Sequence, residues 1–326
     1  MSDFPGVRLH VVTGKGGTGK TTVAAALALA LAGGGKQVLL VEVEGRQGIA
    51  QLFDTPPLPH AERKVAVAPG GGDVFALSVD IDEAVLDYLD QFHGLRRAAR
   101  PLQRIGALDF ATSVAPGIRD VLLTMAVKEA VVRRTKAGFP AYDAVVLDAP
   151  PTGRIGHFLN VSAEVVGLAK VGPIRKQADG VVAVLRSEQT AVHVVTLLED
   201  MPVQETVDAV AELRSLGLPV GGVVVNAARS TSLAAVMLKR AAEGRLDRSE
   251  LVRAAKSGGL ELSEAEVGAI VAEAGEHARR LHLEDTKRAE LHALDVPCYE
   301  LPLLTEAVDL TALYELAAGL RAEGMA

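Results

Sequence analysis

The residues best able to do chemistry sit in one run, Gly14-Lys15-Gly16-Gly17-Thr18-Gly19-Lys20-Thr21-Thr22. Glycines at this density let backbone N–H groups curl around a phosphate, and a following helix adds the partial positive charge of its N-terminus. Gly16, Gly17, Thr18 and Gly19 form the cradle, and Thr22 continues it into the helix. Lys20 is spaced to reach β- and γ-phosphates, and the Thr21 hydroxyl is placed to ligate Mg²⁺. An apolar β-branched run, Val7 to Val12, precedes the loop, and an alanine- and leucine-rich helical pattern, Thr22 to Leu31, follows it. That strand–loop–helix context is the condition for reading a P-loop. A glycine turn that merely joins strand to helix is the alternative, and Lys-Thr at this offset argues against it.

Lys15 is not needed to fold such a loop, and it cannot easily share its own phosphate with Lys20. Its natural use is in trans, across a two-fold interface, on charge developing at the partner's transferred phosphoryl group. The plainer reading is a solvated loop lysine.

Three further apolar runs end in polar residues. Tyr142 to Leu147 ends at Asp148, and ligands bind at the carboxyl ends of strands in open parallel sheets. Asp148 is therefore a candidate for the Mg²⁺ shell, directly or through water. In the stiff turn after it, Ala149-Pro150-Pro151-Thr152-Gly153-Arg154, the Gly153 N–H is placed to sense a γ-phosphate. Val38 to Gly45 carries Glu42 and Glu44 on one face by alternation. Glu44, at the junction with the loop, is the candidate to orient an attacking water. Alternatively, both glutamates bind loop backbone or water at the metal's edge. Asn226 ends Gly221 to Val225; its amide can read an adenine edge or cap the next turn. Pro302 and Leu303, after the last strand pattern, can form the other wall of a base pocket.

Composition narrows the classes. The chain has 326 residues, a net charge of −7, 3% aromatics and no Trp. A nucleic acid or an anionic membrane surface is disfavoured as main partner by that charge, and a base-stacking platform by the few aromatics. The single cysteine, Cys298, permits no internal disulfide and fits a reducing cytosol; it reads as a small buried residue. Met1-Ser2-Asp3 opens no secretory signal, and the apolar runs are strand-sized, so a soluble cytoplasmic protein is expected. The eight histidines form no metal-ligand spacing and are expected on the surface or in helix packing.

Elements must position these groups. Short β-rich runs alternate with helical patterns, which predicts an α/β fold with a doubly wound, mostly parallel sheet. Strands are expected near Arg8–Thr13, Gln37–Val43, Val74–Ser78, Ala144–Leu147, His193–Leu197, Val220–Val225 and Cys298–Leu301. Pro56 to Gly72 reads as a loop. Two stretches, at about 82–138 and 227–294, read as helical insertions within a single domain spanning 1–326. The first is broken near Gly94, Pro101 and Pro116, and Arg96, Arg97, Arg100 and Arg104 partly share a face there. The second is broken at Gly258-Gly259.

With these residues in place, the chain resembles the family of arsenite-pump and tail-anchored-protein-targeting ATPases, within the deviant Walker A class of P-loop NTPases. The resemblance rests on Lys-Gly-Gly-Thr-Gly-Lys-Thr-Thr at 15–22, Asp-Ala-Pro-Pro-Thr-Gly-Arg at 148–154, Asn226, and Pro-Leu-Leu-Thr-Glu at 302–306. It implies ATP as nucleotide with Mg²⁺, Lys15 acting across a dimer, and adenine held by Asn226 with the Pro302 loop. It also implies a homodimer, or a heterodimer with a paralogous chain as in the bacterial, actinobacterial-type branch, and a protein or small-molecule client. Three departures qualify it. Glu44-Gly45-Arg46 stands where the family usually carries Asp-Pro-Ala, so hydrolysis is expected to be weak or to reside in a paralogue. One cysteine supports neither intersubunit zinc nor metalloid binding. Modest helical content between Gly153 and His193, with five methionines in all, argues against a groove for a whole transmembrane segment.

Overall fold

A computed structural model of the chain describes residues 2–80, 83–84, 116–168 and 173–326. One eight-stranded sheet carries the described elements, in the order β3-β4-β2-β5-β1-β6-β7-β8. The strands are β1 (Leu9–Gly14), β2 (Gln37–Glu42), β3 (Arg63–Ala68), β4 (Gly72–Ser78), β5 (Ala144–Asp148), β6 (Thr190–Thr196), β7 (Val220–Ala228) and β8 (Cys298–Pro302). Every neighbouring pair is parallel except β3 with β4. The central strands are buried along their whole length, as strands covered by helices on both faces must be. The chain is thus the expected α/β fold with a mostly parallel sheet.

Strand β1 lies between β5 and β6, where the chain turns from one half of the sheet to the other. The crevice beyond the strand ends at such a reversal is where α/β sheets bind ligands. Helix α1 (Lys20–Ala32) leaves β1 through the glycine loop, and a short α2 (Gly48–Leu52) follows β2. Val23 to Ala30 are all buried, so α1 has no polar face. Its alanines allow close approach to the sheet on one side and to α10 (Leu310–Ala322), the last helix, on the other. Burial on all sides explains the unbroken apolar sequence. The opposite face of the sheet is covered by α3 (Pro116–Val132), α4 (Thr152–Leu168), α5 (Pro173–Leu185) and α6 (Asp200–Ser215).

Three expectations are corrected. The stretch Pro56 to Gly72 is not all loop, because Arg63–Ala68 is β3, an antiparallel edge strand hairpinned to β4 through Gly70 and Gly71. Its Arg63 and Lys64 are exposed, which suits an edge that must not pair further. Between Gly153 and His193 the helical content is not modest, since α4 and α5 contribute 17 and 13 residues. Finally, His10 and His193 are neither on the surface nor in helix packing. They sit on adjacent strands with two residues of stagger and so on the same face, His10 facing Ala191 and Val12 facing His193. Their rings stack at 5.3 Å, with His10 Nδ1 and His193 Nε2 3.0 Å apart. Both side chains are about fully buried, and Phe4 stands edge-on to them.

Of the insertion at about 82–138, Pro116–Val132 is helical; the expected breaks at Gly94 and Pro101 and the face formed by Arg96, Arg97, Arg100 and Arg104 lie outside the described residues. Residues 227–294 hold α7 (Ala235–Ala242), α8 (Arg248–Ser257) and α9 (Glu264–His292). Helix α8 stops at Gly258-Gly259, with Gly259 at φ +81°. Helix α9 starts at a Ser263–Glu266 capping box, which satisfies two otherwise orphaned N–H groups. Arg229, just after β7, pairs at 2.5 Å with the buried Glu284 of α9 and so ties that helix to the sheet edge. Among the described residues no helix is long and apolar enough to cross a membrane.

Candidate functional site

The site forms at the carboxyl ends of β1, β2, β5 and β7. Gly14 must be glycine because a Cβ there would meet the Val195 carbonyl oxygen at 2.2 Å. Gly19 stands at φ +86°, where an added Cβ would lie 2.3 Å from Asn226 Nδ2. Gly16 and Gly17 face open space. Thr18 is buried, and its hydroxyl closes the loop on the Lys15 carbonyl at 2.9 Å. The loop is therefore pinned at its ends and open on its concave side, which is what a phosphate requires.

Thr21, in the first turn of α1, donates from Oγ1 to Asp148 Oδ2 at 2.7 Å. The other oxygen, Asp148 Oδ1, is buried without a partner. Burial pushes the Asp148 carboxyl up to about 6, against the pull of the Thr21 hydrogen bond and the Lys20 charge. A hydroxyl and a carboxylate with an idle oxygen are hard ligands of the kind Mg²⁺ takes, so this donor set fits the ion. Thr21 and Asp148 would hold it, and the charge it supplies at the phosphates is what phosphoryl transfer requires. Desolvation lowers the Lys20 ammonium, partly offset by Asp148 and Glu44. Thr22 follows in the same turn.

Glu42 and Glu44 divide in role. Glu42 is buried, and it accepts from the Gln47 and Gly48 N–H groups at 3.1 and 2.9 Å. Burial raises its carboxyl, and those two N–H bonds oppose the rise. It shapes the loop after β2. Glu44 is partly exposed, lies 3.7 Å from Arg46, and lines a cleft of about 230 Å³ with Arg119, Asp120, Pro150 and Arg154. Gly153 falls in the first turn of α4 beside open space.

Asn226 neither caps a turn nor is left free: Nδ2 donates to the Thr18 carbonyl at 2.9 Å, joining β7 to the glycine loop. Pro302 pairs with Ala228 in the sheet, and the Leu303 N–H donates to the Ala228 carbonyl, so both stand beside the end of β7. Cys298 is partly buried among the apolar residues under β7 and β8, and burial raises its thiol. Lys15 reaches back into its own chain, to Glu205 of α6 at 2.5 Å. Glu205 also accepts from the Thr152 hydroxyl at 3.1 Å. Sequence reading missed Glu205, and the only signal available, a glutamate in the second turn of an ordinary helix, is too common to single out.

A glycine loop between β1 and α1, its lysine, and a Thr–Asp pair at the sheet reversal define the P-loop class of nucleotide-binding proteins. Within that class, the family described as Anion-transporting ATPase matches residues 7–185, and the chain belongs to it. Similar proteins include ATPase BagA of Mycobacterium tuberculosis, 53% identical over 99% of this chain and 95% of that protein. The arsenical pump-driving ATPase of Acidiphilium multivorum is 28% identical over 66% of this chain and 38% of its own length. ATPase get3 of Schizosaccharomyces japonicus is 27% identical over 52% and 51%.

Proposed function

We propose that the chain is a Mg²⁺-dependent ATPase that works as a dimer, with a like chain or a paralogous one, and couples its nucleotide state to capture and release of a protein client. It acts in the cytoplasm as one domain, with helical additions at about 82–138 and 227–294, and without nucleic acid, stable membrane insertion, intersubunit zinc or arsenite transport. The observation that carries this reading is the Thr21–Asp148 contact at the loop's mouth, with Asp148 Oδ1 buried and idle. Gly16, Gly17, Thr18, Gly19, Lys20, Thr21 and Thr22 surround the phosphates, with Gly153 facing the γ-phosphate. Asn226, Pro302 and Leu303 flank the base. Lys15 and Lys20 neutralise charge on the transferring group, and Glu44 orients water.

A second reading is an ATP-holding subunit whose hydrolysis resides in a paralogue. The Glu44–Arg46 pair favours it, because a carboxylate engaged by a guanidinium is a poorer acceptor for a water proton. Steady-state phosphate release separates the two. Turnover by the purified chain that vanishes in Lys20→Ala and Glu44→Gln supports the first. Tight ATP binding with no turnover by this chain, alone or beside a paralogous chain, supports the second.

A further inference from the structure

The two lysines of the glycine loop are in opposite situations. Lys20 makes no ion pair or hydrogen bond through its ammonium among the described residues, and is free to meet phosphate. Lys15 is committed to Glu205 at 2.5 Å, and the same carboxylate takes the Thr152 hydroxyl through its other oxygen. One side chain on α6 thus bridges the loop after β1 and the first residue of α4, which follows the Asp148 turn. Lys15 and Thr152 together hold the Glu205 carboxyl below its usual range.

We propose that Glu205 is a positioning residue that holds Lys15 against its own subunit and so opposes the extension of Lys15 toward a partner's nucleotide. This inference rests on the reading of Lys15 as a lysine used in trans. The side chains of the pair are 31% and 34% exposed, and ion pairs at such sites are worth ~0.2–1 kcal/mol. That is weak enough to break whenever a phosphate offers Lys15 a better partner, yet enough to bias the resting subunit. The Thr152 hydroxyl, on the other carboxylate oxygen, keeps Glu205 in place beside the loop when Lys15 leaves.

Glu205→Gln tests this, because it keeps the side chain's size and an acceptor for Thr152 but removes the charge that holds Lys15. Two measurements are made on the full chain at low and high salt. The first is labelling of Lys15 by an amine-reactive reagent, followed by peptide mass spectrometry, in the absence of nucleotide. The second is ATP-dependent self-association by light scattering. The expected result is roughly 2–5-fold faster Lys15 labelling and roughly 2–5-fold tighter self-association at low salt, the fold-change corresponding to an exposed pair. Both gains should shrink at high salt, where exposed charges are screened, and should be absent from association in a Lys15→Ala background. A mere packing role for Glu205 would lower Tm and move neither quantity upward. Unchanged labelling in Glu205→Gln, or association equal to or weaker than wild type, overturns the proposal. Wild-type protein that binds no Mg·ATP by calorimetry overturns the nucleotide-site reading itself, and is told apart because Lys15 labelling needs no nucleotide.

Discussion

Thr21 Oγ1 and Asp148 Oδ2 meet at 2.7 Å across 127 residues of sequence, and the meeting leaves Asp148 Oδ1 buried with nothing to bind. An idle buried carboxylate oxygen is costly for a fold to keep. It is retained at the mouth of the glycine loop, where a hard cation would relieve it. Asp148→Asn removes the charge at constant size. The Mg²⁺ concentration giving half-maximal ATP turnover should rise at least about tenfold, the scale on which losing a metal-site group acts. Tm of the nucleotide-free protein should stay level or rise, because a costly buried charge is gone. Metal titration of turnover and thermal unfolding on the same sample check both halves.

The contact of Asn226 with the glycine loop gives a second expectation. Gly19→Ala places a methyl 2.3 Å from Asn226 Nδ2 at φ +86°, a backbone state costing an L-residue about 1–2 kcal/mol. ATP affinity should fall by more than about tenfold. Adding Asn226→Ala removes the clash but not the strain, so calorimetry should show partial recovery. Asn226→Ala alone forfeits one hydrogen bond to the Thr18 carbonyl, and should weaken ATP by roughly fivefold.

The strand positions were legible where apolar runs were bracketed by turn residues, and the P-loop was legible because its geometry is written in consecutive residues. What escaped depends on distance along the chain. Lys15 and Glu205 are 190 residues apart, and His10 and His193 are 183 apart. No local pattern can announce contacts that only the ordering of β1 and β6 creates. Strand β3 escaped for another reason. Its neighbours are rich in Pro and Gly, and half of an edge strand faces water, so the apolar signal of a central strand is missing. Glu42 could be placed beside the site by alternation, but its role as a loop anchor depends on how the chain folds back at Gln47 and Gly48.

The histidine pair makes the fold sensitive to acid. Burial depresses His10 to about 4 and His193 well below its ordinary value, with charge on His10 opposing charge on His193 as well. Because the folded state disfavours the proton, the unfolded chain binds more of it between pH 6.5 and about 4. The pair's contribution is complete above pH 6.5 and is lost as pH falls through that window. For His10 alone the loss is of order 3 kcal/mol. Urea unfolding across pH 4–8 should show a steeper decline for wild type than for the His10→Gln/His193→Gln variant. Parallel curves would remove the pair from the account.

Arg229 and Glu284 supply a stability test away from the nucleotide. Glu284 is 2% exposed, and it accepts from both the Arg229 guanidinium and the Arg229 N–H. Arg229→Ala strands that carboxylate in the interior, which costs about 3–5 kcal/mol for a buried pair. Glu284→Gln keeps a neutral acceptor and should cost less. Chemical denaturation of both variants gives the order directly.

The central claim concerns the glycine loop as a seat for Mg·ATP, and isothermal calorimetry of Mg·ATP into wild type and Lys20→Ala tests it most directly. Wild type should release or absorb measurable heat with saturable one-to-one binding, and Lys20→Ala should bind about ten- to a hundredfold more weakly, the scale of losing a charged hydrogen bond to phosphate. Absence of heat from well-folded wild type at several temperatures, or equal affinity in the two proteins, would contradict it.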